Sequence, residues 1–174
     1  MEFERFDRHV DKLRRNGQPV AYVGIASPNY LHDARIRFAL RSGAHAICEK
    51  PLVLNPWNID ALLEIQREQG QRIYNILQLR LHPAIIELRE QVQRELAIDP
   101  GKVYEIDLTY LTSRGRWYFI SWKGDNSKSG GVATNIGVHF FDMLYWIFGP
   151  IRENHVHLRQ EDAVAGFLHL AHAR

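Results

Sequence analysis

Hydrophobic and polar positions along the chain follow one style up to about residue 80 and another beyond it. Residues 2 to 15 are helical in style and charged, and Asn16-Gly17-Gln18-Pro19 ends them. Val20-Ala21-Tyr22-Val23-Gly24-Ile25-Ala26 is a continuous apolar run of strand length. Such a run suits a strand covered on both faces, hence a parallel sheet. Ser27-Pro28-Asn29 makes a turn. A helix with Leu31, Ala34 and Phe38 on one face follows, with Gly43 as its stop. His45-Ala46-Ile47-Cys48 is a second strand. Asn55-Pro56 opens another helix, an N-cap side chain followed by proline at the first helical position. Ile59, Leu62 and Leu63 form its expected buried stripe, and Gly70 closes it. Arg72 to Leu77 is a third strand. Residues 20 to 77 therefore read β-α-β-α-β with short connections, which calls for a parallel sheet with right-handed crossovers.

After His82-Pro83 the pattern changes. A helix is expected over about 83 to 96. Tyr104, Ile106, Leu108 and Tyr110 then alternate with Glu105, Asp107 and Thr109, a period of two that suits a strand with one wet face in an antiparallel sheet. A loop rich in Gly, Ser, Lys and Trp runs from 112 to 131, a helix follows to about 148, and Val156 to Ala171 suggests one or two more strands. The fold class is thus α/β: the second half of a Rossmann-like parallel sheet, then part of an α+β domain with a mostly antiparallel sheet. The expected domains are residues 1–82 and 83–174.

Composition narrows the function classes. A chain of 174 residues can build one sizeable core, or one domain and part of another. Its net charge of +2 is too small to argue for nucleic acid, and acids and bases interleave, as in Glu64-Ile65-Gln66-Arg67-Glu68. No run is long enough to span a bilayer, and Met1-Glu2-Phe3-Glu4-Arg5 lacks the apolar centre of a signal peptide, so a cytoplasmic location is expected. A single cysteine, Cys48, leaves no internal disulfide and fits a reducing compartment. Beside Ile47 it reads as a small buried filler.

The candidate chemistry lies in two segments. Cys48-Glu49-Lys50-Pro51 ends the second strand, and Pro51 forbids its simple continuation in a sheet. Ligands of open parallel sheets gather at the carboxyl ends of the strands, so Lys50 stands where chemistry is usually done; the other reading is a surface lysine beside a turn proline. Gly130-Gly131 and the helix after it are the second segment. At helical spacing Asn135, His139 and Asp142 share a polar stripe, with Val138, Phe141, Leu144, Tyr145 and Phe148 on an apolar stripe beside it. His139, flanked by Val138 and Phe140, suits a proton acceptor near neutral pH, or a core histidine bonded to Asp142 or Asn135. Gly130-Gly131 would let backbone approach a ligand closely.

His32, behind the Ser27-Pro28-Asn29 turn, faces a cofactor or caps its own helix. Arg80 points into the crevice, to solvent, or to a carboxylate of the other domain. Trp117 and Trp122 cover a ring of a ligand or pack their own loop. Lys128 meets an anion or water. His155, His157, His169 and His172 have no metal-like partners, and no metal is expected. A doubly wound nucleotide-binding sheet opens on a strand, a Gly-x-Gly-x-x-Gly turn and a helix. The nearby glycines here are Gly17 and Gly24 only, so the chain reads as the middle of a longer enzyme.

Together and in this order, Ser27-Pro28-Asn29-x-x-His32, Glu49-Lys50-Pro51, Gln78-x-Arg80-x-x-Pro83 and the Gly130 to Asp142 segment resemble the Gfo/Idh/MocA family of nicotinamide-dependent oxidoreductases. Cys48 to Trp57 and Asn75 to Pro83 look most like its WlbA/WbpB-type branch, which oxidises the 3-hydroxyl of UDP-N-acetylglucosaminuronic acid in bacterial surface-polysaccharide synthesis. The resemblance implies a Rossmann domain holding NAD or NADP, and a C-terminal α/β domain that forms the substrate pocket and usually the oligomer contact. It implies Lys50 and His139 as catalytic residues. It places Ser27, Pro28, Asn29, His32, Glu49, Lys50 and Arg80 by the dinucleotide, and Lys50, Asn135 and His139 by the substrate, a UDP-sugar acid. A homo-oligomer is implied, with no membrane or nucleic-acid partner. Many members carry Asp where this chain has Asn135, so the proton acceptor rests on His139 and Lys50 without that carboxylate. The alternatives are a non-catalytic sugar-nucleotide binding or assembly module, and a fragment that associates with a separately encoded N-terminal piece. Without the glycine-rich turn, negligible NAD binding is expected of these residues alone.

Overall fold

The structure is a computed structural model and describes residues 2–174. The chain divides into two compact units, Met1–Ile76 and Leu77–Arg174. The division falls ahead of Gln78-Leu79-Arg80, so the stretch expected to emerge from the last parallel strand lies in the second unit.

The first unit opens on α1 (Phe3–Arg15) and then runs β1 (Tyr22–Ile25), α2 (His32–Arg41), β2 (His45–Cys48), α3 (Trp57–Gln69) and β3 (Ile73–Asn75). The three strands form a parallel sheet in the order β1-β2-β3, with Tyr22 opposite His45 and Cys48 opposite Asn75. Strands this short hold because one face of β1 and β2 is buried. Val23, Ile25, Ala46 and Cys48 pack on Ile36, Ala39 and Leu40 of α2 and on Leu62 and Ile65 of α3. Each large side chain enclosed there contributes about 1.5–3 kcal/mol of transfer free energy.

Both helical stripes differ from expectation. On α2 the buried face is His32, Ile36, Ala39 and Leu40; Ala34 is exposed, and Phe38 instead meets Phe3 and Phe6 of α1 at ring-centroid distances of 5.1 and 5.7 Å. On α3 it is Leu62 and Ile65, while Ile59 and Leu63 are more than a third exposed, at 38% and 39%. Apolar spacing found the helices, but His32 and Ile65 decided which way they turn. Asn55 still opens α3, its Oδ1 accepting from the Trp57 N–H at 3.1 Å. Gly70 ends that helix in the left-handed region, φ 67°, where a side chain would be strained.

In the second unit a 3-10 turn (Gln78–Leu81) leads into α4 (Pro83–Ile98). Two short helices, α5 (Arg116–Ile120) and α6 (Asn126–Ser129), interrupt the expected loop. A π-helical turn (Ala133–Gly137) opens α7 (Val138–Phe148), and an antiparallel hairpin, β4 (Ile151–Arg159) and β5 (Val164–Leu170), follows. Val92, Ile147, Phe148, Leu170 and Ala173 are the centre of its core. Residues 104–110 are not the antiparallel strand that their alternation predicts. Only Tyr104 forms a bridge, parallel, to Ala173, and Ile106 N–H donates to the Arg174 carbonyl at 2.9 Å. The alternation itself survives at the near end: Tyr104 and Ile106 pack on the core, while Glu105 and Asp107 are exposed. Leu108 and Tyr110 lack a neighbouring strand to complete the ladder among the described residues. No helix of the described residues is long and apolar enough to cross a membrane.

Candidate active site

In the first unit the candidate residues collect at the carboxyl edge of the sheet. Each strand exit is tied to its neighbour. Glu49 N–H donates to the Ile25 carbonyl at 2.9 Å, and Ile76 N–H to the Cys48 carbonyl at 3.0 Å. Asn75, the last residue of β3, donates its side-chain amide to the Cys48 carbonyl at 3.0 Å and the Glu49 carbonyl at 3.2 Å. Glu49 and Lys50 are half-buried, and the Lys50–Pro51 peptide is cis. The hydrogen bonds at the three strand exits tie down the edge from which Lys50 leaves. Cys48 is fully enclosed, and burial, then the charge of Glu49, pushes its thiol up to about 12, which removes it as a nucleophile.

His32 has a different setting from either reading of its sequence position. Its ring is fully buried, with Nδ1 2.7 Å from the Pro51 carbonyl oxygen and Nε2 2.9 Å from the Ser27 carbonyl oxygen. No side-chain bond to its own helix start is seen among the described residues. Instead the ring links the turn after β1 to the turn after β2. Both neighbours are carbonyl oxygens, and which ring nitrogen donates its N–H is set by the tautomer. Asn29 is buried too, inside the 3-10 turn Asn29–Leu31, and Leu31 N–H donates back to Pro28 at 2.9 Å. Ser27 Oγ is buried with no hydrogen-bond partner among the described residues. An orphaned hydroxyl at the carboxyl end of β1 fits a polar ligand group, such as a dinucleotide's, in the place where this fold binds one.

In the second unit the candidate residues lie on and beside α7. Asn135 and His139 are not at ordinary helical spacing, because Asn135 sits inside the π turn, which inserts an extra residue per turn. Asn135 is buried, and its amide donates to the Tyr118 hydroxyl at 3.2 Å. Tyr118 is enclosed as well, with the Arg114 guanidinium 5.5 Å from its ring. The expected apolar stripe also turns: Ile147 and Phe148 are buried, while Phe141 and Tyr145 stand largely exposed. His139 is half-buried.

Arg80 and Asp142 face each other as a fork. Arg80 Nε donates to Asp142 Oδ2 at 2.8 Å and Nη2 to Oδ1 at 2.5 Å. That bond to the carboxylate raises the guanidinium above its ordinary value. The sequence leaves Arg80 to the crevice, to solvent or to a carboxylate of the other domain; it meets a carboxylate of its own unit, because the division between units falls ahead of it. Gly130 and Gly131 both have positive φ, 82° and 75°, which the sharp passage from α6 to the π turn requires. Lys128 pairs with Asp125 at 3.0 Å. Lys123 lies over Trp117 and Trp122, so these tryptophans take part in packing their own loop, with Trp117 still 54% exposed.

Sequence reasoning missed Tyr118, whose role as the partner of Asn135 no local pattern announces. Among the described residues no group of three or more His, Cys, Asp or Glu could hold a metal ion.

The two units correspond to two parts of one class of protein. Residues 2–76 match the model of an oxidoreductase family's NAD-binding Rossmann fold, and residues 97–172 match the same family's C-terminal alpha/beta domain. The chain belongs to this family, the Gfo/Idh/MocA oxidoreductases. It is similar to the WlbA (WbpB) dehydrogenase of Thermus thermophilus, solved in complex with NAD and UDP-GlcNAcA: 48% identity and a TM-score of 0.94 over 100% of this chain and 55% of that one. D-glucoside 3-dehydrogenase of Escherichia coli is 28% identical over 73% of this chain and 35% of that protein. An uncharacterized oxidoreductase of Synechocystis is 27% identical over 82% of this chain and 38% of that protein. The chain thus spans little more than a third of the length of these curated relatives.

Proposed function

We propose that this chain serves an NAD-dependent sugar dehydrogenase acting on a UDP-sugar acid, with the 3-hydroxyl of UDP-N-acetylglucosaminuronic acid as the group oxidised. The observation that carries the reading is the whole-chain match, at 48% identity, to a dehydrogenase whose crystals hold NAD and UDP-GlcNAcA. The orphaned Ser27 hydroxyl at the end of β1 supports a dinucleotide in the usual place.

When bound, NAD supplies the hydride acceptor. Ser27, Pro28, Asn29, Glu49 and Lys50 hold its nicotinamide side, and the buried His32 keeps the two turns that carry them in place. His139 takes the proton of the substrate hydroxyl as its carbon is oxidised. The Lys50 ammonium stabilises negative charge developing on that oxygen. Arg80, expected from the resemblance to serve the cofactor, holds Asp142 in this structure. The 174 residues include no Gly-x-Gly-x-x-Gly turn, so the roles proposed stop short of the pyrophosphate.

The test uses the chain alone and a version extended with the flanking residues of the Thermus thermophilus enzyme to that enzyme's length. Calorimetry with NAD should show negligible binding to the chain alone, and micromolar binding would contradict the role given to the missing turn. The extended protein should reduce NAD in the presence of UDP-N-acetylglucosaminuronic acid, followed by absorbance. In it Lys50→Ala and His139→Ala should each lower turnover by at least about 10²-fold. Near-normal turnover in both variants, or no reduction with any UDP-sugar acid, rejects the reading. Sugar-nucleotide binding without NAD reduction would favour a binding or assembly module.

A further inference from the structure

Three features of the second unit bear on how His139 is aimed. The helix that carries it begins in a π turn (Ala133–Gly137), a form in which the backbone ladder is locally re-registered. On the near side of His139, Asn135 is held by the Tyr118 hydroxyl. On the far side, three residues on, Asp142 is held by both arms of the Arg80 fork. Positions three apart on a helix share a face, with about 5–6 Å between their Cβ atoms. The Arg80 fork and the His139 ring therefore bear on the same face of α7.

Arg80 is well placed to fix that face. It comes from the 3-10 turn just ahead of α4, and its guanidinium also lies 5.7 Å from the Trp146 ring, one turn beyond Asp142. Arg89 of α4 covers the same ring at 4.5 Å and donates to the Trp146 carbonyl at 3.2 Å. Two arginines from neighbouring elements thus grip α7 at Asp142 and Trp146. A planar fork on a carboxylate fixes direction as well as distance, which a lysine cannot do.

We propose that Arg80 and Asp142 form a positioning pair that sets the orientation and electrostatic surroundings of His139, while neither touches the reacting atoms. The catalytic meaning of this inference rests on the reading of His139 as the proton acceptor; the geometric part does not. Among the described residues, Arg80 from the turn and Arg89 from α4 are charged groups bonded to this stretch of α7. Asp142 is on α7 itself, and Tyr145 is a titratable neighbour of Arg80.

The test reads His139 directly in the 174-residue chain, by carbon-labelled histidine ring signals followed from pH 5 to 9, with His139→Gln for assignment. Removing one member of a neutralised pair leaves the other's charge beside the imidazole. Asp142→Asn should lower the His139 titration midpoint and Arg80→Gln should raise it, each by at least about half a pH unit, a threefold change in proton affinity. Arg80→Lys keeps the charge but not the fork. It should restore the midpoint while leaving the ring signal displaced from its native position. Shifts of opposite sign support the pair. Unchanged midpoints and ring signals in folded Asp142→Asn and Arg80→Lys proteins overturn it, whether or not Arg80→Gln folds. Turnover of His139→Ala in the extended protein separates the two claims. Normal turnover with shifted midpoints sinks the acceptor role and leaves the pair standing. Lost turnover with unmoved midpoints does the reverse.

Discussion

The sheet of the first unit and the hairpin of the second are built on opposite terms. β1, β2 and β3 are only three or four residues long, yet Ala46 and Cys48 are completely enclosed and α2 presses Ile36, Ala39 and Leu40 onto the same face. β4 and β5 run nine and seven residues, yet β4 is exposed along its whole length, with Val156 61% accessible. Length of strand is therefore no guide to stability here; the second face is. The candidate residues follow suit. Lys50 hangs from a sheet edge tied by Asn75 and His32. His139 lies on a helix oriented by polar anchors, Tyr118 at Asn135 and Arg80 at Asp142.

The largest effect should come from opening the first core. Leu40→Ala removes most of a fully enclosed side chain, and such changes cost about 2–5 kcal/mol. Leu158→Ala on the exposed hairpin should cost under about 0.5 kcal/mol, as surface changes do. Urea denaturation of both variants checks the contrast. Equal losses would mean that the hairpin is as much a part of the stable structure as the sheet.

A smaller effect of another kind is expected at the sheet edge. His32→Leu keeps an apolar body in place but removes the ring nitrogens that face the Ser27 and Pro51 carbonyls, one of which loses its donor. A buried polar group stripped of its partner costs about 1–3 kcal/mol. In urea, His32→Leu should fall between Leu40→Ala and Leu158→Ala. A cost near zero would show that water reaches the two carbonyls and that the ring is a filler rather than a link.

The same contrast explains what could be read in advance. The β-α-β-α-β order was legible because each element of the first unit carries its own periodic signal and neighbours in sequence are neighbours in space. β2 was readable from the four residues His45 to Cys48. The helix faces were not, since a buried histidine counts as polar in any such reading and His32 is at the centre of its face. In the second unit the anchors are long-range. Arg80 finds Asp142 across 62 positions, and Asn135 finds Tyr118 across 17. Neither pairing leaves a trace in local spacing. Lys50 and His139 stood out because a lysine at a strand exit and a histidine between apolar neighbours each strain a packing explanation. Residues 104–110 misled for the converse reason: alternation reports which face is wet, and says nothing of whether a partner strand lies alongside.

The mildest prediction concerns a part-exposed polar cluster of the second unit. Glu95 on α4 accepts from Lys102 Nζ at 2.7 Å, from the Tyr104 hydroxyl at 2.7 Å and from Gln91 at 2.9 Å. The Lys102 bond first, then Gln91 and Tyr104, hold its carboxyl down to about 2, against an ordinary value of 4.5. A carboxyl depressed in the folded state lends stability that is fully present above its unfolded value and is lost as pH falls through the folded one. Thermal midpoints should therefore decline between pH 4.5 and pH 2. Asp125, held to about 2 by Ser127 and Lys128, contributes to the same decline, so the informative measurement is a difference. Glu95→Gln should be less stable than the native chain at pH 6, and the gap should narrow steadily as the acid limit is approached. Salt of about 1 M should shrink the gap at pH 6, because these groups face water. Parallel curves for the two proteins from pH 6 down to pH 2.5 would show that the three bonds to Glu95 count for nothing once solvated, and that the anchoring of Tyr104 is the work of the apolar core alone.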